Sequence, residues 1–497
     1  MTNPDTVPIQ TPEAAHDDAL ADMLAWLAGP VPSDAEIELA GLRQLLKALH
    51  AHVEQAAQFQ RILGLIARRA LRLSDTIKPA FAQASLPLSR SNRVLSSGLS
   101  ELLGELAADH ERVLGPEFST ATTDRVNAVA AQGLRLALEQ MVLGALSGMP
   151  LPHGFWLRAQ SLAMALPQSS AQDMPSATES PGTNFWKQIL ALATVQPETL
   201  SPTELQFLLG PLGEHADRVA INAVPTARDT DQIATTGYWI DPSQDSGPRA
   251  LTRFPMPAAT NRPSVRHIDF SALADKITED LERSDQGASS ALTPAMRRIL
   301  QRWLTPATRQ LHRRPNNFRT HLHSDLDCIW TMLSQFGTPA NEQQPSEWLV
   351  VNESPGGFAA MHVAGSIPPL RPGMLVVLWL PLESTWGACV VRWLRSDNPE
   401  HMELGLELIG QRPQPVRLAF RSHQDMEPTR ALMLPPVGSA RPHPALITDR
   451  DACISRRMVV IIDHGSRVQI QQGRMRDMVT QTAYLDVFCF ESDPYPI

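Results

Sequence analysis

The period of the hydrophobic pattern changes once along this chain of 497 residues, near position 318, and that change divides what can fold from what. Before it, apolar residues return every three or four positions. Leu42, Leu45, Leu46, Leu49, Val53, Ile62, Leu63 and Ile66 form one such stripe. Leu95, Leu99, Leu102, Leu103 and Leu106 form a second, and Val126, Val129, Leu134, Leu138, Met141 and Val142 a third. A stripe of that period is one buried face of an amphipathic helix. After position 318 the apolar runs are short: 347–351, 357–363, 374–380, 387–394 and 402–409. Gly, Pro, Asn and Asp separate them, as in a small antiparallel barrel or sandwich. A last set, 457–462, 468–471 and 484–490, predicts a further β unit, with Asp463-His464-Gly465-Ser466 as a hairpin turn.

Local signals place the boundaries. Ser33 with Glu36, and Ser201-Pro202-Thr203-Glu204, read as capping boxes that open helices. Helices are also expected from Ser271 and from Thr293-Pro294. Residues 217–265 lose helical periodicity and read as a loop or a few short strands. The stretch PQSSAQDMPSATESPGT, 167–183, lacks the apolar content of a core and reads as a linker. The expectation is a multidomain α + β chain, an all-α helical bundle followed by an antiparallel β-barrel with an extra β subdomain. Its parts are a disordered tail at 1–18, a bundle at 19–165 and a linker at 166–184. A second helical region with an irregular insert follows at 185–310, then a barrel at 311–422 and a C-terminal β subdomain at 423–497.

Composition excludes several function classes. There are 43 basic against 52 acidic side chains, net charge −9, which argues against non-specific nucleic-acid binding. The four cysteines form no CxxC pair, so neither a zinc site nor a disulfide framework is expected. No signal peptide and no apolar run of membrane-spanning length is read, so a cytoplasmic chain is expected. Phosphate-loop, dinucleotide, zinc-protease and nucleophile-elbow motifs are missing, so no catalytic residues are assigned and no enzyme is expected. His321 and His323 share a strand face without a third metal ligand, and Cys389 reads as core.

One constellation remains. Asn352-Glu353-Ser354-Pro355-Gly356-Gly357 follows one apolar strand and precedes another, and Arg313, Arg314 and Arg319 stand upstream. Downstream lie Ala388-Cys389-Val390-Val391-Arg392-Trp393 and Leu404-Gly405-Leu406-Glu407-Leu408. These residues resemble the PilZ domain family over about 310–422. Its signatures are an RxxxR pair entering the barrel and an (Asp/Asn)-x-Ser-x-x-Gly turn. The turn matches at every fixed position. The arginines depart by one residue, since four separate Arg314 from Arg319. Either a one-residue bulge absorbs the difference or the pair is degenerate.

The resemblance implies a ligand, cyclic di-GMP, and no other cofactor. Arg313, Arg314, Arg319, Asn352, Ser354 and Gly357 are then the ligand-binding candidates. Arginine can fork onto phosphate or a guanine edge and can stack on a base. An Asn amide and a Ser hydroxyl can both donate and accept there. Glycine permits close backbone approach and positive φ. The resemblance also implies relay to a protein partner in motility, pilus or exopolysaccharide machinery. The alternative is a degenerate PilZ scaffold that mediates protein–protein interaction without nucleotide.

Overall fold

A computed structural model describes residues 12–53, 55–115, 122–166, 180–223, 237–251, 264–284, 293–305, 311–334, 346–398, 401–420, 427–465 and 467–494. The expected tail up to residue 11 and the body of the expected linker, 167–179, lie outside them.

The first part is helical: α1 Pro12–Ala28, α2 Ala35–His52, α3 Ala56–Gln83, α4 Arg90–Val113, α5 Thr123–Ser147, α6 Phe155–Met164, α7 Pro181–Thr194 and α8 Pro202–His215. The tail boundary at 18 is therefore corrected. Helix α1 starts at Pro12, where proline's fixed φ suits a first turn and the alanines that follow favour helix. The linker boundary at 184 also moves. Ser180 accepts from the Thr183 N–H and starts α7 at Pro181.

Of the two expected capping boxes, one forms. The Ser201 hydroxyl accepts from the Glu204 N–H at 3.2 Å, and the Glu204 carboxylate accepts from the Ser201 N–H at 2.8 Å. At α2 the N-cap is Asp34, not Ser33: its carboxylate accepts from Glu36 N–H at 2.8 Å. A carboxylate there also meets the positive end of the helix dipole.

A small antiparallel sheet occupies the segment without helical period. It comprises β1 Ala220–Ala223, β2 Tyr238–Ile240, β3 Arg249–Ala250 and β4 Arg266–Asp269, in the order β1-β4-β2-β3. Then come α9 Ser271–Ser284 and α10 Thr293–Leu304, both at the expected starts. One apolar core runs from Met23 through Leu63, Leu102, Leu143, Leu190, Ile268 and Phe270 to Trp303. The two expected helical regions are thus one packed body. Their stripes complete one another, because an amphipathic helix buries its apolar face only against another element.

His110, 2 % exposed on α4, shares this core, and its Nδ1 meets the Leu106 carbonyl at 2.7 Å. Burial pulls its pKa below the usual histidine value, against the raising effects of Leu106, Gln132 and Asp109. The unfolded chain takes up that proton near pH 6.5 while the folded one resists it, so stability falls as pH drops below about 6.5. In urea titrations the midpoint should fall from pH 7.5 to 5.5, and by less in His110→Gln. An equal fall in both contradicts the assignment.

After α10 the chain builds two closed six-stranded barrels. The first contains β5 Arg314–Ser324, β6 Ser346–Ser354, β7 Gly357–Ala364, β8 Leu375–Leu380, β9 Thr385–Asn398 and β10 His401–Gln411, in the closed order β10-β7-β6-β5-β8-β9. Trp348, Val350, Phe358, Ala360, Val376, Leu378, Cys389, Val391, Leu404 and Leu406 fill it. Burial and the Glu407 charge push the Cys389 thiol pKa far up, as befits a core residue.

The second barrel contains β11 Gln414–Ala419, β12 Thr429–Leu434, β13 Ala445–Asp449, β14 Arg457–Asp463, β15 Val468–Gln481 and β16 Leu485–Ser492. The expected boundary at 422 falls too late, because β11 is hydrogen-bonded to β12 and β14 of the second barrel. Helix α11, Leu326–Ser334, sits between the barrels, with Leu326 and Ile329 in their shared apolar layer. Trp330 on α11 donates its indole N–H to the Val416 carbonyl at 2.8 Å, and the guanidiniums of Arg417 and Arg430 lie over its ring at 5.2 and 4.9 Å from the centre.

The helical body and the first barrel are joined by polar clamps as well as packing. The Leu86 N–H donates to Leu370 O, and the Leu370 N–H to Leu86 O, each at 3.0 Å. Ser396 N–H donates to Gly148 O at 2.9 Å. Arg371, 5 % exposed, reaches from the barrel to carbonyls at the C-terminal ends of α5 and α3.

Candidate functional site

The site grows from the β6–β7 hairpin. Asn352 pairs with Ala359 and Ser354 with Gly357, leaving Pro355 and Gly356 as the turn. The Ser354 hydroxyl donates to the Gly357 carbonyl at 3.4 Å. Gly357 has φ +151°, and a Cβ there would stand 2.0 Å from the Leu406 carbonyl oxygen of β10. Glycine is thus demanded by the barrel itself, in addition to any approach by a ligand. The Asn352 Oδ1 is enclosed and accepts no hydrogen bond from the described residues. A buried amide oxygen left in that state is costly unless something donates to it.

The arginine strand lies along the same hairpin. Arg314 is opposite Glu353 and Pro315 opposite Asn352. The next pair is Phe318 with Val350, three steps along β5 against two along β6. A one-residue bulge at Asn316-Asn317 therefore takes up the extra residue, the first of the two arrangements that the sequence left open. Measured on the partner strand, from Glu353 to Leu349, Arg314 and Arg319 stand four positions apart, as in an RxxxR pair.

Side chains alternate across a strand, so positions next to the barrel core face outward. Register then lines up Pro315, Asn352, Ala359, Gly405 and Trp393 across five strands of the outer face. Arg319, Leu349, Met361, Glu403 and Arg395 form the neighbouring outer row. Arg319 donates to Glu347 at 2.9 Å in an exposed pair. Such pairs are weak and can exchange partners.

The Trp393 indole lies flat on Gly405, where a Cβ would come within 1.9 Å of its Nε1. The Arg395 guanidinium sits 5.4 Å from its ring centre. Arg392 is ion-paired with Glu407 of β10, whose backbone is in register with Gly357. Arg302 of α10 bonds to Val195 O and to Thr199 Oγ1, and its pKa is lowered by burial and then by the charges of Arg298 and Arg392. The helical body thus abuts this face of the barrel.

The six candidates gather on two strands and one turn: Asn352, Ser354 and Gly357 on the hairpin, Arg319 on the outer face of β5, Arg314 at the start of β5 in the row of Glu353 and Phe358, one position from the outward Pro315, and Arg313 just before β5. Sequence reasoning passed over Arg392, Trp393 and Glu407. The only local signal for them is that Arg392-Trp393 interrupts a continuous apolar run, Ala388 to Val391, that is buried on both faces. Among the described residues no group of three His, Cys, Asp or Glu side chains could hold a metal ion.

Comparison with known proteins agrees with this anatomy. Residues 21–226 match the family described as the N-terminal domain of the cyclic-di-GMP receptor FimW. Residues 331–415 match the middle PilZ domain of that receptor. The second match contains Asn352, Ser354 and Gly357 but begins after the three arginines. The curated cyclic-di-GMP receptor FimW of Pseudomonas aeruginosa is 31% identical over 134 residues, 26% of this chain. The chain spans only 21% of the length of that relative. No solved structure matches the chain. The two domain families are thus matched in order, the first on the helical body and the PilZ family on the first barrel, so residues 331–415 are similar to a PilZ domain.

Proposed function

We propose that this protein is a receptor for cyclic di-GMP that binds the dinucleotide on the outer face of the first barrel and passes the signal to a protein partner through its helical body. The observation that carries the reading is the alignment of the Asn352–Gly357 turn with the arginine strand, through a bulge that restores the spacing of the arginine pair. Asn352 contributes an amide oxygen with no donor, and Arg313, Arg314 and Arg319 contribute the charge two phosphates require. The relay has a covalent basis. Trp303 of α10 lies in the helical core, and the chain then leads to Leu311, whose side chain lies beside Gly356 of the turn. Ligand contacts with the arginines would thus bear on a helix of the core. The reading assigns the chain no catalytic role and a cytoplasmic setting. No described helix is long and apolar enough to cross a membrane.

Calorimetric titration with cyclic di-GMP tests it. Saturable heat is expected for the full chain. Arg314→Ala and Asn352→Ala should each weaken binding by about 10-fold or more, the scale of a charge-assisted or buried hydrogen bond. Absence of heat at tens of micromolar nucleotide, or variants that bind as the parent does, would sink the reading in favour of a scaffold.

A further inference from the structure

We propose that Arg392 is an additional anion-binding arginine of this site, held by Glu407 in the free protein and released to a ligand phosphate on binding. The inference rests on the cyclic di-GMP reading and deepens it.

The geometry comes from a bulge in β9. Gly405 pairs with Trp393 and the next residue, Leu406, with Val391, so Arg392 is the extra residue and faces outward beside Trp393. On the neighbouring strand Glu407 lies opposite Gly357, the last residue of the ligand turn. The ion pair between Arg392 Nε and Glu407 Oε2 is therefore built against the turn itself.

Both partners are open to solvent, at 33% and 47% exposure, so water and salt screen the pair and hold it weakly. A phosphate offers the same guanidinium two oxygens and a full charge, and it is the better partner for the arginine fork. The Glu407 side chain needs only to rotate into water.

The surroundings favour an incoming anion. Arg298 and Arg392 stand near enough to Arg302 for their charges, after burial, to depress its pKa. The carboxylates of the helical body that face this cluster are already engaged, Glu204 with Arg298 at 2.6 Å and Glu198 with Arg395 at 3.9 Å. Glu407 is thus the carboxylate that competes with the ligand for Arg392.

A double-mutant cycle read by calorimetry on the full chain tests this, with cyclic di-GMP as probe and circular dichroism checking each fold. Arg392→Ala should weaken binding about 10-fold, and Arg392→Gln likewise. Glu407→Gln should tighten it by about 2- to 5-fold, since the competing carboxylate is gone. In the Arg392→Ala background that gain should vanish. If it persists there undiminished, Glu407 acts on the ligand by charge at a distance and the competition is refuted. Parent-like affinity in both Arg392 variants, with Asn352→Ala still impaired, overturns this inference and leaves the receptor reading standing. Absence of binding by the parent chain overturns both.

Discussion

Gly357→Ala is expected to destabilise the first barrel by about 3–5 kcal/mol, the largest effect of any single substitution in the candidate site. Two costs combine. Backbone with φ near +151° strains any residue bearing a Cβ, by about 1–3 kcal/mol. The new methyl would also stand 2.0 Å from the Leu406 carbonyl oxygen, which belongs to β10 and moves only with the sheet. Forcing atoms into a packed wall costs about 1–3 kcal/mol more.

Gly356→Ala, one residue earlier, is the control. Its Cβ would meet only the Leu311 side-chain tip, at 2.9 Å, and that tip can turn away. Urea unfolding followed by tryptophan emission should show an early barrel transition for Gly357→Ala and little change for Gly356→Ala. Equal midpoints in the two variants would contradict the steric account. The comparison has a consequence for function: loss of nucleotide binding in Gly357→Ala would report a damaged barrel as readily as a lost contact. Asn352 and the arginines are the informative positions.

Arg371→Ala is expected to uncouple the helical body from the barrel. Arg371 donates to Leu146 O at 2.9 Å and to Phe81 O at 2.6 Å. Those carbonyls close two helices, where the dipole is negative and orphan acceptors collect. Truncation leaves both without their cation, in a place water reaches poorly, at about 1–3 kcal/mol for each unmet acceptor. The helical core and the barrel core keep their own apolar contacts. Calorimetric unfolding should therefore split into two transitions where the parent shows closer coupling. Arg371→Lys, which can serve one carbonyl, should lie between. A single transition shifted as a whole would show that the apolar contact between the bodies does the coupling without Arg371.

Much of this molecule was legible in the order of its residues. The helices follow the 3.6-residue stripes because burial of one face is a local property of spacing. Leu42, Leu45, Leu46 and Leu49 are all buried on α2. The Ser201–Glu204 cap forms because both hydrogen bonds lie within one turn. The Asn352–Gly357 turn could be read for the same reason, since the pairing of Ser354 with Gly357 that closes it lies within four residues. Strands β11, β12 and β13 and helix α11 escaped notice. They are short, and their burial comes from the layer between the two barrels and from the core of the second, which no local pattern announces.

The site itself divides along that line. Sequence alone determined the residue types, the turn and the arginine supply, because these are chemistry carried by neighbours in the chain. How far apart Arg314 and Arg319 stand along the partner strand was set by the bulge at Asn316-Asn317, and a bulge exists only relative to a partner strand. Arg392, Trp393 and Glu407 joined the same face for the same reason. Strand register links residues far apart in the chain, and hydrogen bonding between strands, closed into a barrel, is what sets it.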